Sequence, residues 1–235
     1  LWNSFAIRGF VGDENLPSGY LVNGFNAGRG FAGARDISGI ERVEVLKGPR
    51  AALFGRGEPG GTINLVTKRP TGEAGGALRV SGDSFGAYRG DVDLTSDTVG
   101  ERVAARFVGF YEEGDSFRDT VEIERVGMSP SVLFRLDDAT TVLYELEYAD
   151  QEVPFDRGVL AVDGELGVIP EDRFLGEPGD GPIEAGVLGH QLEFRRDLND
   201  DWDLLVGLGY RETSLTGFST EAELSGSRQR LALDG

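Results

Sequence analysis

ERVEVLKGPRAALFGRGEPGGTINLVTKRP, residues 41–70, decides how the rest of the sequence is read. Two apolar runs of strand character flank a turn-dense glycine stretch, and a basic pair with a proline closes the block. In the first run Val43 and Val45 share one face and Glu44 takes the other, the two-residue period of a strand. Lys47-Gly48-Pro49 ends it. Ala51 and Ala52 favour a turn of helix over 50–54, with a further bend as the alternative. TINLVTK, residues 62–68, is β-branched and reads as a second strand, stopped by Arg69-Pro70.

Between these strands, GRGEPG at 55–60 matches the letters of a glycine-rich nucleotide loop. A dinucleotide site needs a helix after that loop, whereas here a strand follows, and Pro59 removes a donor from the phosphate cradle. A kinase loop would sit between strands, yet it needs His-Arg-Asp and Asp-Phe-Gly motifs, which this sequence lacks. Tight turns and close packing are the better use of these glycines.

Upstream, LWNSFAIRGF at 1–10 alternates apolar and polar residues and runs into a turn. YLVNG at 20–24 is a short strand broken by Asn-Gly, a strong hairpin signal. A loop over 26–38 carries Gly28, Gly30 and Gly33 around Arg29, Phe31 and Arg35. Cations and an aromatic on such a loop suit ligand capture, the alternative being packing against neighbouring structure.

Downstream of residue 75 the pattern becomes a long two-residue alternation. Leu78 and Val80 oppose Arg79 and Ser81; Tyr88, Val92 and Leu94 oppose Arg89, Asp91 and Asp93; Val103, Ala105, Phe107 and Tyr111 oppose Arg102, Arg106 and Glu112. A strand over 121–136 turns at Asp137-Asp138, after which Val142, Tyr144, Leu146 and Tyr148 oppose Thr141, Glu145 and Glu147. A Pro-, Gly- and acid-rich stretch, 150–185, interrupts the pattern. It resumes with Leu192 and Phe194 against Gln191, Glu193 and Arg195. Beyond a turn at 197–201, Leu204, Val206, Leu208 and Tyr210 oppose Asp203, Gly207, Gly209 and Arg211. DLNDDWD at 197–203 superficially resembles a calcium loop, but Trp202 takes the glycine position and no Glu closes it.

This makes roughly eight strands, several of ~10 residues or more, the length a tilted membrane-spanning strand requires. Connections alternate short (near Thr98, Asp137 and Asn199) and long (near Asp115, Asp163 and Thr220), as in outer-membrane barrels. The apolar face would meet lipid; the charged face, with Arg79, Arg102, Arg106, Glu145, Glu147 and Arg211, would line the interior. Tyr111, Tyr148, Tyr210 and Trp202 suit an aromatic girdle.

Composition narrows the function. Of 235 residues, 23 are basic and 41 acidic, a net charge of −18, which disfavours a nucleic-acid partner. There is no cysteine and only His190, so disulfides, thiolate metal sites and most histidine catalysis are excluded. No nucleophile–base constellation for an enzyme emerges. The chain opens without methionine and closes inside a strand-like run at 231–235, and so reads as part of a longer sequence.

The block at 41–70 closely resembles the end of the plug domain of TonB-dependent outer-membrane receptors, most of all siderophore receptors of the ferrichrome (hydroxamate) type. IRGF at 7–10, YLVNG at 20–24 and FLGEP at 174–178 support the resemblance. It implies an all-β fold: a transmembrane antiparallel β-barrel, of which about eight strands are present, preceded by a plug with α+β parts. Residues 1–70 would be the C-terminal part of the plug and 71–235 the opening part of the barrel. The implied function is binding of a ferric siderophore and its import with energy supplied by TonB, in the bacterial outer membrane, with lipid around the barrel. No resident cofactor is implied; the siderophore chelates the iron.

By the same resemblance Arg8 matches a plug arginine that contacts siderophore and Phe31 falls near an aromatic contact, with Tyr20 and Arg29 as further ligand-binding candidates. Arg42, Arg56 and Lys68 are expected to pair with the barrel wall. Phe155, Asp156 and Phe174 would lie in an extracellular loop. The TonB-contacting box is absent from this chain, which by itself would not couple to TonB. Two alternatives remain: a TonB-dependent receptor for another nutrient, such as cobalamin or a glycan, and a β-rich binding or adhesion module that folds without detergent.

Overall fold

A computed structural model of the chain describes residues 6–7, 9–11, 20–27, 35–48, 60–225 and 230–234. The expected helical turn at 50–54 and the glycine stretch at 55–59 lie outside them. Among the described residues the structure is nearly all strand, with one turn of 3-10 helix at Pro178–Asp180. The strands are β1 (Ala6–Ile7), β2 (Phe10–Val11), β3 (Tyr20–Val22), β4 (Phe25–Asn26), β5 (Ile40–Lys47), β6 (Gly61–Thr67), β7 (Gly75–Gly82), β8 (Tyr88–Thr95), β9 (Val103–Asp115), β10 (Glu122–Asp137), β11 (Thr140–Pro154), β12 (Pro182–Asn199), β13 (Trp202–Thr216), β14 (Glu221–Ser225) and β15 (Arg230–Asp234).

The decisive block supplies an inner strand, β6, and an edge strand, β5, of a small mixed sheet in the order β4-β3-β6-β5. β6 pairs parallel with β3 and antiparallel with β5. Its core is Val22, Ala27 and Leu65, with Ile40 and Ile63 packed against them. Because β6 is covered on both sides, even Thr62 and Asn64 are buried, and each buried polar group then needs a partner. β5 lies at the edge of that sheet, and its Val43 and Val45 are exposed.

β7 to β13 form one seven-stranded antiparallel sheet with every strand beside its sequence neighbour; β14 and β15 make a separate hairpin. This up-and-down order follows from local turn chemistry. Asp83 Oδ1 accepts the Phe85 and Ala87 amides, Asp137 Oδ1 the Ala139 amide and Asn199 Oδ1 the Asp201 amide, each an Asx-type closure. The segment at 197–203 is therefore a hairpin, not a cation loop. Connections at one end of the sheet are 96–102, 138–139 and 200–201. Those at the other are 83–87, 116–121, 155–181 and 217–220.

The two faces follow the alternation. Leu78, Val80, Leu94, Phe107, Met128, Phe134, Leu192, Leu208 and Tyr210 are exposed on the outer face, as are Tyr111, Tyr148 and Trp202 of the expected girdle. Tyr144 Oη and His190 Nδ1 are hydrogen-bonded at 2.8 Å, and the His190 ring lies 6.2 Å from that of Tyr210. The inner face carries Arg106, Glu145, Glu147 and Arg211, together with buried Ala104, Val108, Phe110 and Leu143. Arg102 departs from expectation: it ends the turn at 96–102 and is exposed.

The stretch expected to interrupt the pattern over 150–185 is shorter as a loop at both ends. β11 continues to Pro154 and β12 begins at Pro182, so the connection is 155–181. The alternation persists but its polarity inverts: Ile183, Ala185 and Val187 are buried on the inner face. On the outer face Glu113, Glu124, Glu152 and Glu184 stand in one cross-strand rank. A strand that emerges from the apolar band meets water outside, so polar residues move outward. A search for apolar-outward alternation therefore stops at the band's edge.

Gly114 permits the closest approach in this sheet. Its φ is +152°, and a Cβ there would lie 2.1 Å from Ala87 Cα. Backbone cannot yield as a side-chain tip does, so Gly114→Ala should destabilise the end of the β8–β9 pair by about 2–3 kcal/mol. Faster amide exchange across 83–90 and 110–115 would report it; unchanged exchange would refute this account.

Candidate functional site

The small sheet sits against the inner face of the large one, and the seam between them holds a cavity of about 80 Å³ lined by apolar residues such as Val22, Ile40, Val108 and Phe110 as well as by polar and charged groups from both. Four contact points define it, each begun by a residue of the small sheet or its flanks whose local structure is set by sequence.

The first is the Asn23-Gly24 hairpin, with φ of 51° and 82°, the conformation that Asn-Gly favours. The turn aims the Asn23 side chain at the wall. Its amide donates to Thr67 Oγ1 at 2.8 Å, Gln191 Oε1 at 3.0 Å and Glu145 Oε2 at 3.2 Å, and its oxygen accepts the Thr67 amide at 3.0 Å. Gln191 Nε2 donates in return to the Val22 carbonyl. Beside it, Phe25 lies over Gly207 and Gly209 of β13, where a Cβ would come within 2.6 and 2.8 Å of the ring.

The second and third points are adjacent in sequence. Arg35 pairs with Glu147, which also pairs with Arg211. Asp36 pairs with Arg89 at 2.8 Å, and Arg89 reaches Asp91 and Glu112, the latter shared with Arg125. Arg89 also lies 4.4 Å from the Phe110 ring centre. Two neighbouring residues of opposite charge thus grip β11 with one and β8 with the other. The fourth point is Lys68-Arg69. Lys68 Nζ pairs with Asp93 at 2.9 Å, Asp93 is also held by Arg106, and Arg106 donates to the Arg69 carbonyl. Arg69 bridges Glu145 at 3.3 Å and Glu193 at 3.1 Å.

These charges are mostly out of water, where removing one partner costs more than a surface pair is worth. Two buried atoms lining the cavity, Ser131 Oγ and Arg211 Nη1, have no hydrogen-bond partner among the described residues. Burial pushes the Asp36 carboxyl up, but hydrogen bonds from Arg89 and Ser38 outweigh it and hold the group below the ordinary aspartate range. A carboxyl depressed on folding contributes stability that is full above its unfolded value and is lost as pH falls through the lower, folded one. The stability gap between wild type and Asp36→Asn should therefore stay constant near neutrality and close only in acid. Thermal midpoints measured from about pH 7 to 3 would check this, and a gap that widened in acid would contradict it.

Of the expected ligand residues, Arg8, Arg29 and Phe31 lie outside the described residues. Tyr20 opens β3, opposite Ile63 of β6. Lys68 pairs with the wall as expected. Arg56 lies outside the described residues. Arg42 is a correction: on the edge strand it pairs with Glu44, two residues along on the same face, and not with the wall. Among the described residues Glu44 is the carboxylate that reaches the Arg42 guanidinium, so the pair closes within β5. In the long connection, Phe155 is buried and Asp156 pairs with Arg118. Sequence reasoning missed Asn23 as more than a turn residue, and missed Asp36; the charge pair following a glycine loop was the available signal.

A family profile described as "TonB-dependent Receptor Plug Domain" matches residues 2–62. The chain is 39% identical over 212 residues to the metal-pseudopaline receptor CntO of Pseudomonas aeruginosa (strain UCBPP-PA14), covering 89% of this chain and 29% of that protein. It is 28% identical over 187 residues to the ferrioxamine B receptor of Salmonella typhimurium (strain LT2), covering 75% of this chain and 26% of the relative. Among solved structures, the ferric-catecholate import receptor Fiu of E. coli K12 in its open form superposes with a TM-score of 0.79 at 25% identity, over 89% of this chain and 33% of that one. The chain thus spans about a third or less of the proteins it matches.

Proposed function

We propose a function from the premise that this chain is a TonB-dependent receptor sequence: it belongs to an outer-membrane receptor that binds a ferric siderophore and imports it with energy supplied through TonB. In this reading residues 1–70 are plug and 71–235 are barrel wall, with lipid against the outer apolar face. No bond is made or broken, and no resident cofactor is required, because the metal arrives chelated. Arg8, Tyr20, Arg29 and Phe31 are the proposed ligand contacts. The ferrichrome-type assignment stays within this proposal.

The observation that carries the reading is the seam. A small sheet meets the inner face of a membrane-type sheet through a set of hydrogen bonds and ion pairs interspersed with apolar contacts. Such an interface is specific yet separable, because water can replace each polar contact as the plug moves. Uptake of labelled ferric siderophore by cells carrying the full-length receptor, with and without a functional TonB, tests it. TonB-dependent accumulation is expected; none with any ferric siderophore would refute the reading.

A second reading has its own support. The relatives at 39% and 38% identity are metal-pseudopaline receptors, well above the ferrioxamine B receptor at 28%. Under it the cargo is a metal complex of a pseudopaline-like chelator. Competition between that complex and a ferric siderophore for the same receptor separates the two.

A further inference from the structure

We propose that Arg118 is a positioning residue that pins the longest wall connection, 155–181, to its neighbour 116–121, so that the two loops stand as one preformed wall for an incoming metal chelate. This rests on the receptor reading above. The Arg118 side chain is mostly buried, and its guanidinium divides its donors between two places. Nε reaches Asp156 Oδ2 at 2.8 Å, at the entry of the long loop. Nη1 donates to the Arg173 carbonyl at 3.2 Å, near the loop's exit. Beside that second contact the Asp119 amide donates to the Asp172 carbonyl at 2.8 Å.

Both parts of the clasp are themselves held. Asp156 Oδ1 accepts the Gly158 amide, Phe155 is buried at the loop's root, and Arg118 lies 5.1 Å from the Phe117 ring centre. Between the clasped ends, the long loop's internal support includes a one-bridge hairpin, Val162 with Glu165, turned by Asp163 and Gly164 at φ 53° and 83°. Its tip is exposed. Clasping 156 to 173 leaves 157–172 as a shorter closed loop, with less freedom than the whole connection would otherwise keep. Arginine suits the task because its planar fork serves two acceptors at fixed angles, which a lysine ammonium does not.

The test uses the full-length receptor in detergent, comparing Arg118→Ala, Arg118→Lys and Asp156→Asn with wild type. Amide exchange over 157–172 should accelerate about tenfold in Arg118→Ala, with Arg118→Lys and Asp156→Asn intermediate, while exchange over 140–150 stays unchanged as the folding control. Affinity for a ferric siderophore that the wild type binds should weaken about tenfold in Arg118→Ala. Exchange within about twofold of wild type would overturn the proposal, as would faster exchange with unaltered affinity. If Arg118→Ala does not fold, Asp156→Asn and Arg118→Lys carry the same comparison. If the wild type binds no chelate, the receptor reading fails while the exchange measurement still decides the clasp.

Discussion

Replacing Glu147 by glutamine is expected to cost about 3–5 kcal/mol of plug docking, because it leaves two guanidiniums in the seam without their shared carboxylate. Arg35 comes from the segment before β5, and Arg211 from β13; Glu147 on β11 pairs with both. Arg211 already carries a buried Nη1 with no partner among the described residues, so the wall has little spare capacity to absorb the loss. The measurement is amide exchange or urea sensitivity of the plug in the full-length receptor, with barrel strands as the internal reference. A double-mutant cycle with Arg35→Ala isolates the pair across the seam, where a coupling of about 1 kcal/mol or more is expected. Coupling near zero would mean that Glu147 serves the wall alone.

Asn23→Ala should be nearly as damaging, at about 2–4 kcal/mol, through two separable causes. It removes the side chain that ties Thr67, Glu145 and Gln191 together, and it asks alanine to hold φ of +51°, which asparagine tolerates better. Asn23→Gly keeps only the first cause, since glycine accepts that backbone. Most of the loss should therefore persist in Asn23→Gly if the network dominates, and most should disappear if backbone strain does. Asn23→Asp keeps the shape but sets a second carboxylate against Glu145, and should be at least as destabilising as Asn23→Ala. An Asn23→Asp variant as stable as wild type would sink the network account.

The legible part of the molecule was the part set by short-range rules. The two-residue alternation of Val103, Ala105, Phe107 and Tyr111 against Arg106 and Glu112 needs no partner strand to declare which face is which, and the structure keeps it. Asn23-Gly24, Asp137-Asp138 and Asn199 announced turns through their own side-chain chemistry, and turns are found there. Where the surroundings change along a strand, local pattern misled. Ile183, Ala185 and Val187 are as regular as any strand, but inward-apolar alternation above the lipid band looked like a loop when read with the band's polarity.

The motifs at 7–10, 20–24 and 41–70 carried a resemblance that the profile match over residues 2–62 agrees with. The partners of individual charges were not legible in them. Lys68 was expected at the wall and is there, whereas Arg42, drawn from the same block and chosen on the same grounds, meets Glu44 on its own strand. Nothing local separates the two. Composition, alternation and turn residues, acting over a few residues each, determined by sequence alone that this is a strand-rich membrane-type wall preceded by a small glycine-rich sheet. Which carboxylate receives Arg35, Asp36's arginine, or the Asn23 amide was decided only when the small sheet was laid against the large one. Those pairs join residues far apart in the chain, and a buried charge takes whichever partner the packing of two sheets brings within reach. The block at 41–70 carries two of the four strands of the small sheet; the seam that this sheet makes against the large one exists only in three dimensions.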